Sequence, residues 1–196
     1  MVGSGPDTVT VPGTYREIDK TAVSASDALI AWVRQARPAL ERTAKTYHAT
    51  ITYKELAEEV QSESGIRTRR LLQHWIGDVL GAVAHDCYAA GEPLLSALCV
   101  RADGSVGPGY GIAVVENFGG EPPVDRDIHA AEERFKCYEH FGAAMPEDGG
   151  RPSLTKQIAA ARLRATRRVS PAEAIRPMCP NCHLMLPVSG QCDSCS

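Results

Sequence analysis

The chain has 196 residues and a mass of 21.1 kDa, room for one ordinary domain with a small appendage and too little for two large enzymatic ones. Hydrophobic residues at 43% and charged residues at 23% argue against wholesale disorder and against a fibrous repeat, while 17 Gly and 13 Pro predict generous loops. A net charge of −3 excludes a uniformly basic coat but not local patches: residues 1–102 carry 11 basic against 12 acidic groups, 103–149 carry 3 against 10, and 151–178 carry 7 against 1.

Residues 1–23 mix Gly, Pro and Thr around a short alternating TVTV stretch and read as a flexible arm with one edge strand. Ser24 and Asp27 form a capping signature, and Leu29, Val33, Ala36, Leu40 and Ala44 recur at helical spacing, so a helix is predicted over 26–46 with a possible kink at Pro38. A second capping box, Thr52 with Glu55, opens a short helix with Leu56 and Val60 on one face. After a turn at 62–65, a longer helix is expected over 67–90, with Leu72, Trp75, Val79, Val83 and Cys87 on one stripe, closed by Gly91-Glu92-Pro93.

The apolar run 94–100 has strand length, and the glycine-rich stretch 103–111 reads as a loop before a further apolar run at 112–115. Short helix, turn, longer helix, strand and glycine loop follow one another in the order of a winged helix-turn-helix. An acidic amphipathic helix follows over 125–143 through Ile128, Ala131, Phe135, Tyr138 and Phe141. A break at 147–150 precedes an Ala- and Arg-rich helix over 153–169, stopped by Ser170-Pro171. No apolar run reaches membrane-spanning length and the N-terminus lacks a secretory pattern, so a cytoplasmic location is expected.

Four of the seven cysteines fall as Cys179-Pro-Asn-Cys182 and Cys192-Asp-Ser-Cys195, two CxxC pairs nine residues apart. That spacing points to a zinc ribbon, because each CxxC turn lets two thiolates converge on one ion and two turns complete a tetrahedron. A shell of four protein ligands leaves no position for water, so the expected zinc is structural. His183 reads as a histidine beside the site, with substitution as a ligand the alternative. Cys87, Cys99 and Cys137 read as small buried hydrophobes.

The stretch from Ser170 to Pro187, with Arg176-Pro-Met-Cys-Pro-Asn-Cys-His-Leu-Met-Leu186 within it, resembles the end of HNH-type restriction nucleases. That family's catalytic histidine pair lies upstream on a strand, where this chain has its Arg-rich helix, and Pro187 stands where a final histidine would be. The resemblance therefore implies a degenerate nuclease-derived zinc module. Separately, Ile51-Thr-Tyr-Lys-Glu-Leu-Ala57 and Arg101-Ala-Asp-Gly-Ser-Val-Gly-Pro-Gly-Tyr-Gly111 resemble the helix-turn-helix entry and wing of alkylguanine-DNA alkyltransferases and alkyltransferase-like proteins. The family's Pro-Cys-His-Arg acceptor segment is replaced by 94–101, so alkyl transfer is not expected. Cys99 sits in an apolar run that raises its pKa.

These readings combine into a mainly helical α+β chain: an arm (1–23), a helical region with a winged helix-turn-helix (24–122), an acidic and an Arg-rich helix (123–170), and a four-cysteine zinc ribbon (171–196). Double-stranded DNA is the expected partner, with Tyr53, Arg67, Arg69, Arg70, His74 and Arg101 as contact residues and the 67–74 segment as the groove-facing start of a recognition helix. Lys156, Arg162, Arg164, Arg167, Arg168 and Arg176 either contact phosphate or dock on the acidic segment. No catalytic residue is assigned. The function expected is a zinc-containing, non-enzymatic DNA-binding protein in gene regulation or in a restriction or phage-defence setting. The alternatives are a divergent metal-dependent HNH-like nuclease using His183 with His129 or His140, and an adaptor binding a partner protein through the acidic helix or the zinc ribbon.

Overall fold

The structure, a computed structural model, describes residues 13–168, 178–186, 190–192, 194 and 195. The TVTV stretch, the stop at Ser170-Pro171, Arg176 and Pro187 lie outside the described residues, as do the side chains of Arg167 and Arg168. The chain divides into two units, residues 1–158 and 159–196. The first is mainly helical.

Its first strand, β1 (Thr14–Arg16), leads to α1 (Ala25–Ala44). Ser24 caps that helix by accepting from the Asp27 amide at 3.1 Å, and the helix runs on through the exposed Pro38. Strand β2 (Ile51–Thr52) opens directly into α2 (Tyr53–Ser64), where both halves of the Thr52–Glu55 capping box form. Gly65 ends α2 at φ 65°, a left-handed turn that costs other residues strain. The two helices bury Trp32, Ala36 and Leu40 of α1 against Leu56 and Val60 of α2. This is the amphipathic pairing that their apolar spacing predicts.

Past Gly65 the structure departs from expectation. Residues 67–75 do not form the expected α-helix: β3 (Ile66–Thr68) is extended and pairs antiparallel with β1, and Leu72–His74 forms a single 3-10 turn. Three bonds, two of them from partners more than thirty residues away, hold this extended course. Trp32 Nε1 donates to the Ile66 carbonyl at 3.1 Å, the Thr68 amide donates to Gln61 Oε1 at 2.9 Å, and the Arg69 amide donates to the Gly13 carbonyl at 2.8 Å. Partners distant in sequence outweigh the local helical period here. Helix α3 (Ile76–Ala90) begins only after Trp75, which stacks on Trp32 with ring centroids 4.3 Å apart.

The apolar run after α3 holds a 3-10 turn (Leu95–Leu98) and a two-residue strand, β4 (Cys99–Val100), parallel to β2. The glycine-rich loop expected over 103–111 ends early, because α4 (Pro108–Phe118) takes in its last residues and the apolar run 112–115 and packs on α3. Pro108 sits at the first helical position, where its missing N–H costs nothing and its fixed φ favours the helix, so the glycine-rich stretch opens a helix rather than a hairpin. Helix α5 (Arg126–His140) packs on α1 and on the Leu95–Leu98 turn. Its buried Glu133 accepts from the Leu94 amide at 3.0 Å and from Lys136 Nζ at 2.7 Å, and its buried Arg134 donates to the Ala97 carbonyl at 3.1 Å. Helix α6 (Lys156–Arg168) is the last regular element described. Among the described residues no helix is long and apolar enough to cross a membrane.

Candidate functional site

The four cysteines of the tail converge. Cys179 Sγ lies 3.9 Å from Cys195 Sγ, Cys182 Sγ lies 3.4 Å from Cys192 Sγ, and all four sulfurs fall within 4.8 Å of one another. Four thiolates at the zinc distance of about 2.3 Å on a tetrahedron have edges of about 3.8 Å, so the cluster can hold one metal ion with little rearrangement.

Local backbone geometry builds the first half of the site. Met178 and Met185 form an antiparallel bridge, the Cys179 amide donates to the Leu184 carbonyl at 2.8 Å, and the His183 amide donates to the Cys179 carbonyl at 2.9 Å. The chain can close so tightly because His183 adopts φ 55°. The turn aims the Cys182 and Asn181 amides at the Cys179 sulfur, and these hydrogen bonds pull its pKa down to about 6. Cys195 is pushed the other way, to about 12, chiefly by its hydrogen bonds with the Cys182 and Cys192 side chains. Crowded thiols resist sharing negative charge, which is the electrostatic problem that a bound cation removes.

The other three cysteines are buried, as their apolar surroundings imply. Burial pushes the Cys99 thiol well above its ordinary value, so it is held protonated inside the core.

The six residues expected to contact DNA do not share one helix face. Arg67 lies on β3, where its guanidinium bonds Glu17 at 3.0 Å and Glu58 at 2.9 Å. Arg69 and Arg70 are exposed in the segment after β3, and Arg70 Nη2 donates to the His74 carbonyl at 2.7 Å. His74 ends the 3-10 turn and is also exposed. Tyr53 and Arg101 lie elsewhere, lining a cavity of about 630 Å³ between the start of α2, α3 and α4. Tyr53 is turned inward: its hydroxyl accepts from the Gly107 amide at 3.0 Å, and burial pushes the phenol up. The face of α3 left to solvent includes Asp78, His85 and Asp86, an acidic surface rather than a groove-reading one.

Sequence reasoning missed the cavity. Its walls include Leu72, Ile76 and Leu80 on one side and Pro108, Tyr110 and Ala113 on the other. One local signal was available, the Gly77 and Gly81 pair one turn apart within α3.

Basic charge is densest on α6, where Lys156, Arg162, Arg164, Arg167 and Arg168 stand in 13 residues without a carboxylate. Lys156 and Arg164 are exposed. No family model, curated protein or solved structure matches the chain.

Proposed function

We propose that this is a zinc-containing, non-enzymatic DNA-binding protein whose principal phosphate contacts come from α6. The observation that carries the DNA reading is the composition of that helix, five cations and no anion over 13 residues. Closely spaced cations raise the local positive potential, and a polyphosphate supplies closely spaced negative charge to meet it. Arg69 and Arg70 add exposed cations on the first unit, whereas Arg67 is committed to Glu17 and Glu58 and contributes little. Gene regulation or a restriction or phage-defence role is the setting proposed for such a protein.

Zinc is the metal proposed for the cysteine cluster, since four soft thiolates in tetrahedral array suit it and leave no open coordination position. The ion then has a structural task, tying down a tail in which, among the described residues, only Cys179 is buried.

Anisotropy titrations with a fluorescent duplex at rising salt test the reading. Binding should weaken steeply with salt, and the joint substitution Lys156→Ala and Arg164→Ala should weaken it at every sequence and flatten the log–log slope by roughly 0.9 per lost phosphate contact. Arg67→Ala should leave affinity nearly unchanged. Absence of duplex binding at low salt, or an undiminished slope in the double variant, rejects the assignment.

A further inference from the structure

The cavity between α3 and α4 has the makings of a ligand site independent of DNA. Its volume of about 630 Å³ lies within the roughly 300–1,000 Å³ typical of small-molecule pockets. Two features of its construction have no explanation in the packing of the fold.

The first is Ser96. It lines the cavity, is 5% exposed, and its Oγ has no hydrogen-bond partner among the described residues. A buried hydroxyl without a partner is unfavourable, and alanine would remove that penalty with almost no change of shape. The second is the pair Gly77 and Gly81. Both line the cavity from α3, and a Cβ added at either meets nothing within 4 Å. Glycine weakens a helix interior by about 1 kcal/mol relative to alanine, yet here no neighbouring atom requires it. What these glycines do is keep the wall open.

Charge at the same cavity is one-sided. Lys54 and Arg101 line it and are exposed, and neither forms an ion pair among the described residues. Tyr53 presents a hydroxyl fixed by the Gly107 amide, an approach so close that a Cβ at residue 107 would collide with it. The rest of the wall is largely apolar, built from residues such as Leu72, Ile76 and Leu80.

We infer that this cavity binds a small organic anion with an apolar body, its acidic group at Lys54 and Arg101 and a second polar atom meeting the Ser96 hydroxyl. The site combines a few placed polar groups with apolar walls, the usual division of labour in ligand recognition.

Three probes separate the parts of this inference: a hydroxynaphthoate with its hydroxyl on the far ring, naphthoate without the hydroxyl, and naphthol without the carboxylate. Each is titrated into the full chain and followed by calorimetry and by the amide resonances of Gly77, Gly81, Gly107 and Gly109. Hydroxynaphthoate should bind saturably and move those glycines. Loss of the carboxylate should weaken binding about ten-fold or more, as should Gly81→Leu, which fills the cavity; Gly77→Ala, which adds only a methyl to a helix wall, gives a smaller loss should the larger variant not fold. Ser96→Ala should abolish the preference for hydroxynaphthoate over naphthoate while leaving the fold intact. The inference is overturned if none of the probes moves those glycines at millimolar concentration, if naphthol binds as well as naphthoate, or if the Ser96 variant keeps the hydroxyl preference. No DNA is present in these titrations, so their failure leaves the duplex-binding reading untouched.

Discussion

Thr52 and Glu55 show how much a single pair of side chains decides. The Thr52 hydroxyl accepts from the Glu55 amide at 3.2 Å while the Glu55 carboxylate accepts from the Thr52 amide at 2.8 Å and from its hydroxyl at 2.7 Å. These bonds turn the chain from β2 into α2 at the edge of the cavity, and they hold the Glu55 pKa below its ordinary 4.5, the side-chain bond from Thr52 being the largest cause. A carboxylate with a depressed folded pKa stabilises the native state above its unfolded pKa and loses that effect as pH falls through the folded value. The stability advantage of the wild type over Glu55→Gln is therefore expected at neutral pH and should vanish below the ordinary carboxylate range, as read by urea unfolding across pH. Thr52→Ala should cost about 1 kcal/mol at neutral pH. An advantage unchanged at acidic pH would show that the carboxylate charge is not what caps α2.

At the scale of elements, what could be read from sequence was what neighbours in sequence control. The Ser24 cap, the Thr52–Glu55 capping box, the glycine ends of α2 and α3, and the course of α1 and α5 follow from residues within a few positions of each other. The segment 66–75 does not, because β1 and Trp32 draw it into an extended course from outside any local window. Helix α4 was obscured for the opposite reason: Pro108 and Gly109 punctuate turns as readily as they open helices. The metal cluster was legible since each CxxC is a local unit, whereas the cavity gathers 52–54, 72–81 and 96–113 and has no linear signature. The long-range bond from Trp32 yields a direct test. Trp32→Phe keeps an aromatic ring against Trp75 but leaves the Ile66 carbonyl without its donor, so a loss of about 1–3 kcal/mol in unfolding free energy is expected by urea titration. A loss within error would mean that β3 is held by its pairing with β1 alone.

In the whole molecule, a helical unit with a ligand-sized cavity is followed in sequence by a strongly cationic helix and then by a tail in which four cysteine sulfurs converge. The tail decides whether that arrangement holds, since the described residues there include a single buried side chain, Cys179. Without an ion, hydrogen bonds with the Cys182 and Cys192 side chains hold the Cys195 thiol up at about 12; binding a cation there requires that proton to leave, so metal binding and deprotonation are coupled. Native mass spectrometry of the purified full chain, paired with elemental analysis, measures this directly. One zinc per chain is predicted, released on acidification or chelation and lost in Cys179→Ser or Cys195→Ser; a chain carrying no metal after zinc loading, or one that keeps its zinc when either cysteine is replaced, would contradict the four-sulfur site.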